Sequence, residues 1–221
     1  MMVSADIDPR RAGTIWMVNL DEPAPVVTTL VQAVFRRVGP DRLTGLASSM
    51  SSNTEQEIAA RFKSGGRCYV AWVGEVIAAY GWVSFNEETM GEMNLHLKFA
   101  AGEAYIWDCV TLPGFRQKRL YSALLSYILK ELHSENLCRA WIGADRNNTI
   151  SQLGIARAGF QHVADLEVHR VLTLRQVWVS GYPDVPTNIV AEARRIFLND
   201  RDEVWLKVAS HRSKNLSENL A

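Results

Sequence analysis

Excess charge of either sign is missing from this chain. Its 24 Lys and Arg stand against 24 Asp and Glu, so the formal net charge is zero. A general polyanion binder carries a basic excess, so nucleic acid is a poor first guess for a partner. Long apolar runs are missing too. No stretch approaches the ~20 apolar residues that span a bilayer, and no membrane association is expected. Met1 to Gly13 carries Asp6, Asp8, Arg10 and Arg11 with no apolar block behind them, unlike a secretory leader. Cysteine is scarce. Cys68, Cys109 and Cys138 are odd in number and far apart, and they form no CxxC pair; neither a disulfide framework nor a structural zinc site is indicated. Unpaired thiols suit a reduced cytoplasm. Gly-rich phosphate loops are absent: neither GxGxxG nor GxxxxGK(S/T) occurs.

What remains is a globular composition, 48% hydrophobic and 22% charged over 221 residues, enough for one domain with an appendage. Gly13 to Leu20 reads as a short strand. Ala24 to Val38 carries Leu30, Val31, Val34 and Phe35 at helical spacing and is expected to be a helix ending near Gly39-Pro40. A second helical stretch follows Asp41, around Leu43, Leu46 and Ala47. Asn53 to Lys63 is a third, since Thr54 precedes Glu57 by three residues as in a capping box.

Beyond Gly65-Gly66 the pattern turns to β. Arg67–Val73 and Val76–Phe85 make a hairpin about Gly74-Glu75. Glu92–Phe99 alternates and is a third strand. Ala104–Leu112 is a fourth, with blurred alternation that signals burial on both faces. From Lys118 to His133, Leu120, Leu124, Ile128 and Leu132 recur every fourth residue, beside Leu125 and Leu129, forming a continuous apolar stripe. Arg139–Ala144 is strand-like, and Asn148–Ala158 is a shorter helix ended by Gly159. Phe160–Val179 is β-rich. Pro183 and Pro186 then break the chain before a last amphipathic helix around Ile189, Val190, Ala193, Ile196 and Phe197. The mixture of hairpin and crossover connections predicts an α/β (α+β) fold: one mixed, mostly antiparallel sheet with helices on both faces. The expected organisation is a tail over residues 1–12, a domain over 13–179, and an extension with one amphipathic helix over 180–221.

One segment is locally odd. Arg116, Lys118 and Arg119 crowd the start of the strongest helix, directly after a buried strand and Pro113-Gly114-Phe115. Each cation there opposes the helix dipole by roughly 0.3–1 kcal/mol. A solvated basic turn is the bland reading; an anion seated on the free backbone N–H groups makes better sense of the position.

The run Val110-Thr111-Leu112-Pro113-Gly114-Phe115-Arg116-Gln117-Lys118-Arg119-Leu120-Tyr121 resembles motif A of the GNAT superfamily of N-acetyltransferases, (R/Q)xxGx(G/A) after a strand and opening a helix. Arg116 matches its first position, while Arg119 and Tyr121 replace its two small residues. Downstream, Asn148 and Ser151 followed by Ala158-Gly159-Phe160 is similar to the family's NxxS…GF segment. The resemblance extends over about residues 13–175 and implies a sheet whose fourth and fifth strands splay apart. Acetyl-CoA would lie in the splay as co-substrate, with no metal. It implies that backbone groups of Cys109, Val110 and Leu112 pair with the pantetheine arm. Amides from Gln117, Lys118, Arg119, Leu120 and Tyr121 would hold the pyrophosphate, with Arg116, Lys118 and Arg119 adding charge. Asn148 and Ser151 would meet the ligand from the next helix.

Acyl transfer needs a neutral amine. A lysine-like amine titrates near ~10.4, so reaching the free base at neutral pH costs about 4–5 kcal/mol, and a carboxylate can take the proton. Asp108, a charged residue inside an apolar strand, is the first candidate base. Its structural alternative is a carboxylate paired with an arginine or with backbone amides. Glu103 and Glu92 are weaker candidates. The tyrosine that many family members use to protonate the leaving thiolate is Ile155 here; that role is unfilled or passes to Tyr121, Ser151 or water. Cys109 reads as a small buried hydrophobe rather than a nucleophile. His96 is a surface histidine or lines the acceptor pocket. Trp72, Tyr80, Trp82, Tyr105 and Trp107 read as core and pocket wall.

The expectation is a cytoplasmic N-acetyltransferase that moves an acyl group to a small-molecule or peptide amine in a ternary complex. Its rival is a non-catalytic acyl-CoA-binding or regulatory module. The apolar face of the last helix packs on the core, covers the pocket or forms a homodimer contact. Arg116→Glu combined with Lys118→Glu is expected to weaken acetyl-CoA binding about tenfold or more by calorimetry, since one lost charge-assisted bond is worth about 1.5 kcal/mol. Unchanged affinity would displace the site.

Overall fold

The computed structural model describes residues 12–50, 54–90, 95–171, 174–198 and 203–207. Strands β1 (Gly13–Asn19) and β2 (Val34–Val38) come first, then helices α1 (Leu43–Ser49) and α2 (Glu55–Lys63). Strands β3 (Arg67–Val73), β4 (Val76–Ser84), β5 (Glu87–Met90), β6 (Leu95–Lys98) and β7 (Glu103–Thr111) follow. The chain continues through α3 (Leu120–Ser134), β8 (Arg139–Asp145), α4 (Thr149–Arg157), β9 (Gln161–Val171), β10 (Leu174–Gly181), α5 (Thr187–Leu198) and β11 (Glu203–Lys207).

Among the described residues, nine strands form one sheet in the order β11-β10-β9-β1-β8-β7-β4-β3-β2. Only β7 and β8 run parallel; the other neighbours are antiparallel. The apolar stripe of α3 (Leu120, Leu124, Leu125, Ile128, Leu129, Leu132) is buried on one face, against Trp16, Tyr69, Ala79, Val83 and Ile106. Alternation sends their neighbours to the other face. There Leu46 of α1 and Ile58 of α2 pack on Cys68, Val70, Tyr80 and Trp82. Farther along that face, α5 lays Ile189, Ala193, Ile196 and Phe197 over Ile15, Met17, Val177 and Val179. The mixed sheet with helices on both faces is thus as the sequence predicts, and the apolar face of α5 has its partner within the chain. No helix among the described residues is long and apolar enough to cross a membrane.

Two expectations need correction. The helix over Ala24–Val38 does not form. Residues 20–33 run extended along α3, and Val34–Val38 is an edge strand on β3. Pro23 and Pro25 each bias the residue before them toward extended backbone. Tertiary bonds hold the extended path instead. Leu20 N–H donates to the Cys138 carbonyl at 2.9 Å, and Leu30 N–H to the Lys118 carbonyl at 3.1 Å. Ser126 Oγ donates to the Pro25 carbonyl at 2.5 Å. The apolar residues follow a period of two: Val31, Ala33 and Phe35 pack inward, whereas Leu30 and Val34 face solvent. The expected third strand, Glu92–Phe99, is also different. Leu95–Lys98 is a strand, but it pairs with Glu87–Met90 in a separate two-stranded ribbon. Glu92 lies outside the described residues.

The capping box is present: Thr54 N–H donates to Glu57 Oε2 at 2.7 Å, and Glu57 N–H to Thr54 Oγ1 at 3.3 Å. At the start of β7, buried Glu103 joins β7, β8, α5 and the turn before it. It accepts from Trp141 Nε1 (3.2 Å), Arg139 Nη1 (3.4 Å), Arg195 Nη2 (2.6 Å) and Ala100 N–H (2.8 Å). This tie clamps β7 to β8 and to α5. Glu103→Ala leaves buried donors without a partner and is expected to cost about 3–5 kcal/mol of stability in urea titration. A loss under about 1 kcal/mol, the surface value, would show that the clamp carries no weight.

Candidate active site

Parallel pairing between β7 and β8 runs from Glu103↔Arg139 to Ile106↔Ile142. Beyond that point β7 continues to Thr111 and β8 to Asp145, so the two strands diverge. On its other side β7 stays paired to β4 through a bulge. Trp107 pairs with Trp82 and Val110 with Tyr80, so Asp108 and Cys109 together oppose Gly81. Asp108 adopts φ 44°, a left-handed conformation. Gly81 is required there, because a Cβ would lie 2.7 Å from Cys109 Sγ.

The bulge changes which way the strand faces. Strict alternation would send Asp108 toward α3, like Ile106. Instead its carboxylate joins Trp107 on the α2 face, where Arg61 Nη1 donates to Asp108 Oδ2 at 2.5 Å. The Arg61 guanidinium lies 4.5 Å from the centre of the Trp107 ring and 5.2 Å from that of Trp82. Trp107 Nε1 donates in turn to Ser84 Oγ at 2.8 Å. The arginine partner weighed for Asp108 therefore exists, and it stands on the rim of the opened strand pair. Cys109 turns to the α3 face, where burial pushes its thiol pKa up. A protonated thiol fits a small hydrophobe. Burial, reinforced by Asp108, pushes the Tyr80 phenol up to about 12.

The turn from β7 into α3 carries the cations. A short 3-10 turn at Pro113–Phe115 precedes Arg116. Gln117 (φ 62°) and Arg119 (φ 60°) both adopt left-handed conformations. Such strain at non-Gly residues costs of order 1–3 kcal/mol each and persists where the surroundings enforce it. Arg119 holds the N-cap place of α3 with no side-chain capping bond. The Arg119 carbonyl accepts the Ala123 N–H at 3.1 Å. The N–H groups of Leu120, Tyr121 and Ser122 precede that bond and have no acceptor within the helix. Lys118 Nζ reaches the Gly114 carbonyl at 3.0 Å, and Arg116 Nε the Thr111 carbonyl at 3.4 Å. Arg116 is exposed and Lys118 half-buried at the mouth of the turn.

The second helix of the site is α4. Asn148 caps it, with Oδ1 accepting the Ser151 N–H at 3.0 Å. Ser151 Oγ donates to the Tyr121 hydroxyl at 3.1 Å, so the two motif segments meet. Ile155 is fully buried in the core. Thus Cys109 and Tyr121 pack on the α3 face, Val110 shares the α2 face with Asp108, Leu112 follows the end of β7, and Arg116 through Tyr121, Asn148 and Ser151 stand at the starts of α3 and α4. The remaining candidates lie elsewhere. Glu103 serves the clamp at the closed end of the strand pair, and His96 is exposed and pairs with Glu87 at 3.2 Å.

Arg61 was missed by the sequence reading. Its signal is a cation three residues after Ile58, on the buried side of α2. Gly81 and Gly154 were missed as well, and both mark close approach of a side chain.

The site has the donors that an extended acyl-CoA arm needs. The β8-facing edge of β7 is unpaired after Ile106, first-turn amides of α3 adjoin it, and Thr111 Oγ1 is buried with no partner among the described residues. The acetyltransferase (GNAT) family model matches residues 32–160, and the chain belongs to that family. Solved structures share the fold. A GCN5-related N-acetyltransferase from Sphaerobacter thermophilus has TM-score 0.57 at 16% identity, over 75% of this chain and 52% of that one. A GNAT acetyltransferase from Colwellia psychrerythraea gives TM-score 0.53 at 13% identity, over 81% of this chain and 58% of the other. A GNAT-family protein from Novosphingobium aromaticivorans gives 0.50 at 12% identity, over 70% and 62%. The chain thus spans between half and two thirds of these proteins' length. No curated protein matches it.

Iodoacetamide under native conditions is expected to label exposed Cys138 and to spare Cys68 and Cys109, whose thiols burial holds protonated. Peptide mapping by mass spectrometry checks this; rapid labelling of Cys109 would mean that the bulge opens.

Proposed function

We propose that this protein is a cytoplasmic N-acetyltransferase that moves an acetyl or short acyl group from acetyl-CoA to a primary amine of a small molecule or peptide. The observation that supports this most is the alignment of two openings. The strand divergence after Ile106 leads directly to the first-turn amides of α3 and to Arg116, Lys118 and Arg119. An acyl-CoA has the matching shape, an extended amide-bearing arm that ends in a diphosphate. Bound there, it would supply an activated thioester carbonyl.

The chain's own groups then have these roles. The β7 edge over Cys109, Val110 and Leu112 orients the arm by strand-like bonds. The amides of Gln117 to Tyr121 hold the diphosphate, and the three cations around them are matched in charge. Asn148 and Ser151 approach from α4. Asp108 takes the proton from the incoming ammonium, with Arg61 fixing one carboxylate oxygen so that the other, Oδ1, meets the amine. Trp107 and Trp82 wall this face and hold Arg61 in place.

A second reading has its own observation. Asp108 is already paired with Arg61, and the Tyr121 ring stands between α3 and α4. These fit an acyl-CoA-binding module without transfer. A thermal-shift and acetylation screen separates the two: acetyl-CoA and longer acyl-CoAs against amines, aminoglycosides, polyamines and peptides. Stabilisation by acetyl-CoA without transfer to any acceptor would favour the module, and stabilisation by neither would remove both. With an acceptor in hand, Asp108→Asn is expected to lower kcat by about 10²-fold or more, leaving acetyl-CoA affinity unchanged. Full activity in that variant would leave Asp108 as a structural partner of Arg61.

A further inference from the structure

We propose that the Tyr121 side chain is a gate across the entrance to the cleft, latched to Ser151 and displaced when an acyl-CoA arm enters. This rests on the ligand placement given above. The entrance is defined by topology. Helix α3 follows the end of β7 and α4 follows the end of β8, so the helices begin where the strands have parted. Any arm that reaches the unpaired edge of β7 from the cationic turn passes between these two N-terminal turns.

Tyr121 closes that passage. It sits in the first turn of α3, and its hydroxyl is 3.1 Å from Ser151 Oγ in the first turn of α4. Its ring lies hard against the α4 backbone: a Cβ built on Gly154 would be 2.5 Å from Cδ1 and 2.8 Å from Cε1. The ring fits only because α4 has a glycine in its interior, a residue that weakens helices. The large side chain on α3 and the missing one on α4 are thus complementary, and the fit leaves no spare width. The ring packs against the same apolar cluster as Cys109, on the α3 face of β7, which ties it to the ligand path rather than to the outer surface.

The latch is reversible by construction. A neutral hydrogen bond joins the two hydroxyls, and breaking such a bond costs little when a ligand replaces it. The released Ser151 and Tyr121 hydroxyls are then available to a ligand. If the gate is mostly shut, apparent affinity is reduced by the fraction of molecules in the open state. Variants that cannot shut bind more tightly, while keeping every backbone amide of the turn.

Two variants of opposite kind test this. Tyr121→Ala removes the ring, and Gly154→Ala puts a methyl group where the ring lies and evicts it. Gly154→Ala also guards against a misfolded Tyr121→Ala, because alanine favours the helix. Titration calorimetry of the full chain with acetyl-CoA and with CoA is expected to show both variants binding about tenfold or more tightly than the parent chain. Equal or weaker binding by both variants, with clear binding by the parent, overturns the gate and leaves the ligand placement standing. No binding of either ligand to any of the three proteins overturns the placement and the gate together.

Discussion

Parallel pairing that stops after four residues organises this molecule. At one end of the β7–β8 pair, buried Glu103 draws together Arg139, Trp141, Arg195 and the Ala100 amide, so the strands cannot part. At the other end the β7 edge is left without its neighbour. A buried strand edge is costly unless something satisfies it. The bulge across from Gly81 keeps the far edge of β7 on β4 while the near edge swings free. It also brings the Asp108 carboxylate to the face where Arg61 waits. Closed end, open end and carboxylate placement follow from one interruption of the strand ladder.

The turn into α3 shows where the fold accepts unfavourable local choices. Two left-handed non-Gly residues, an uncapped helix start and three neighbouring cations are each mildly destabilising by themselves. Their coincidence at the open end of the strand pair, and at no other helix start described, is what the proposed diphosphate site accounts for. The tertiary bond from Leu30 N–H to the Lys118 carbonyl holds this turn from behind.

Several elements were legible because their signals are local. The α3 stripe, the hairpin about Gly74, the Thr54–Glu57 box and the Gly159 stop after α4 all depend on residues within a few positions of each other. Residues 24–38 misled because Leu30, Val31, Val34 and Phe35 satisfy helical spacing, while the competing interactions come from Ser126, Lys118 and Trp72, far along the chain. Asp108 was recognisable as an anomaly. Its orientation was not, since alternation fails at a bulge. Its partner lies 47 positions away on a helix. Tyr121 looked like a departure from the family pattern only because its counterpart, Gly154, is adjacent in space alone.

The place of β1 in the sheet has a consequence for how the chain is made. Residues 13–19 leave the ribosome more than a hundred positions ahead of β8 and β9, the strands between which theirs lies. The bond from Thr14 to Ala144 spans a separation of 130. Until then this apolar segment has no sheet to join, and the middle of the sheet cannot close during elongation. A nascent chain therefore carries this apolar strand uncovered until the intervening residues are made, and the sheet closes around a segment synthesised well before its neighbours.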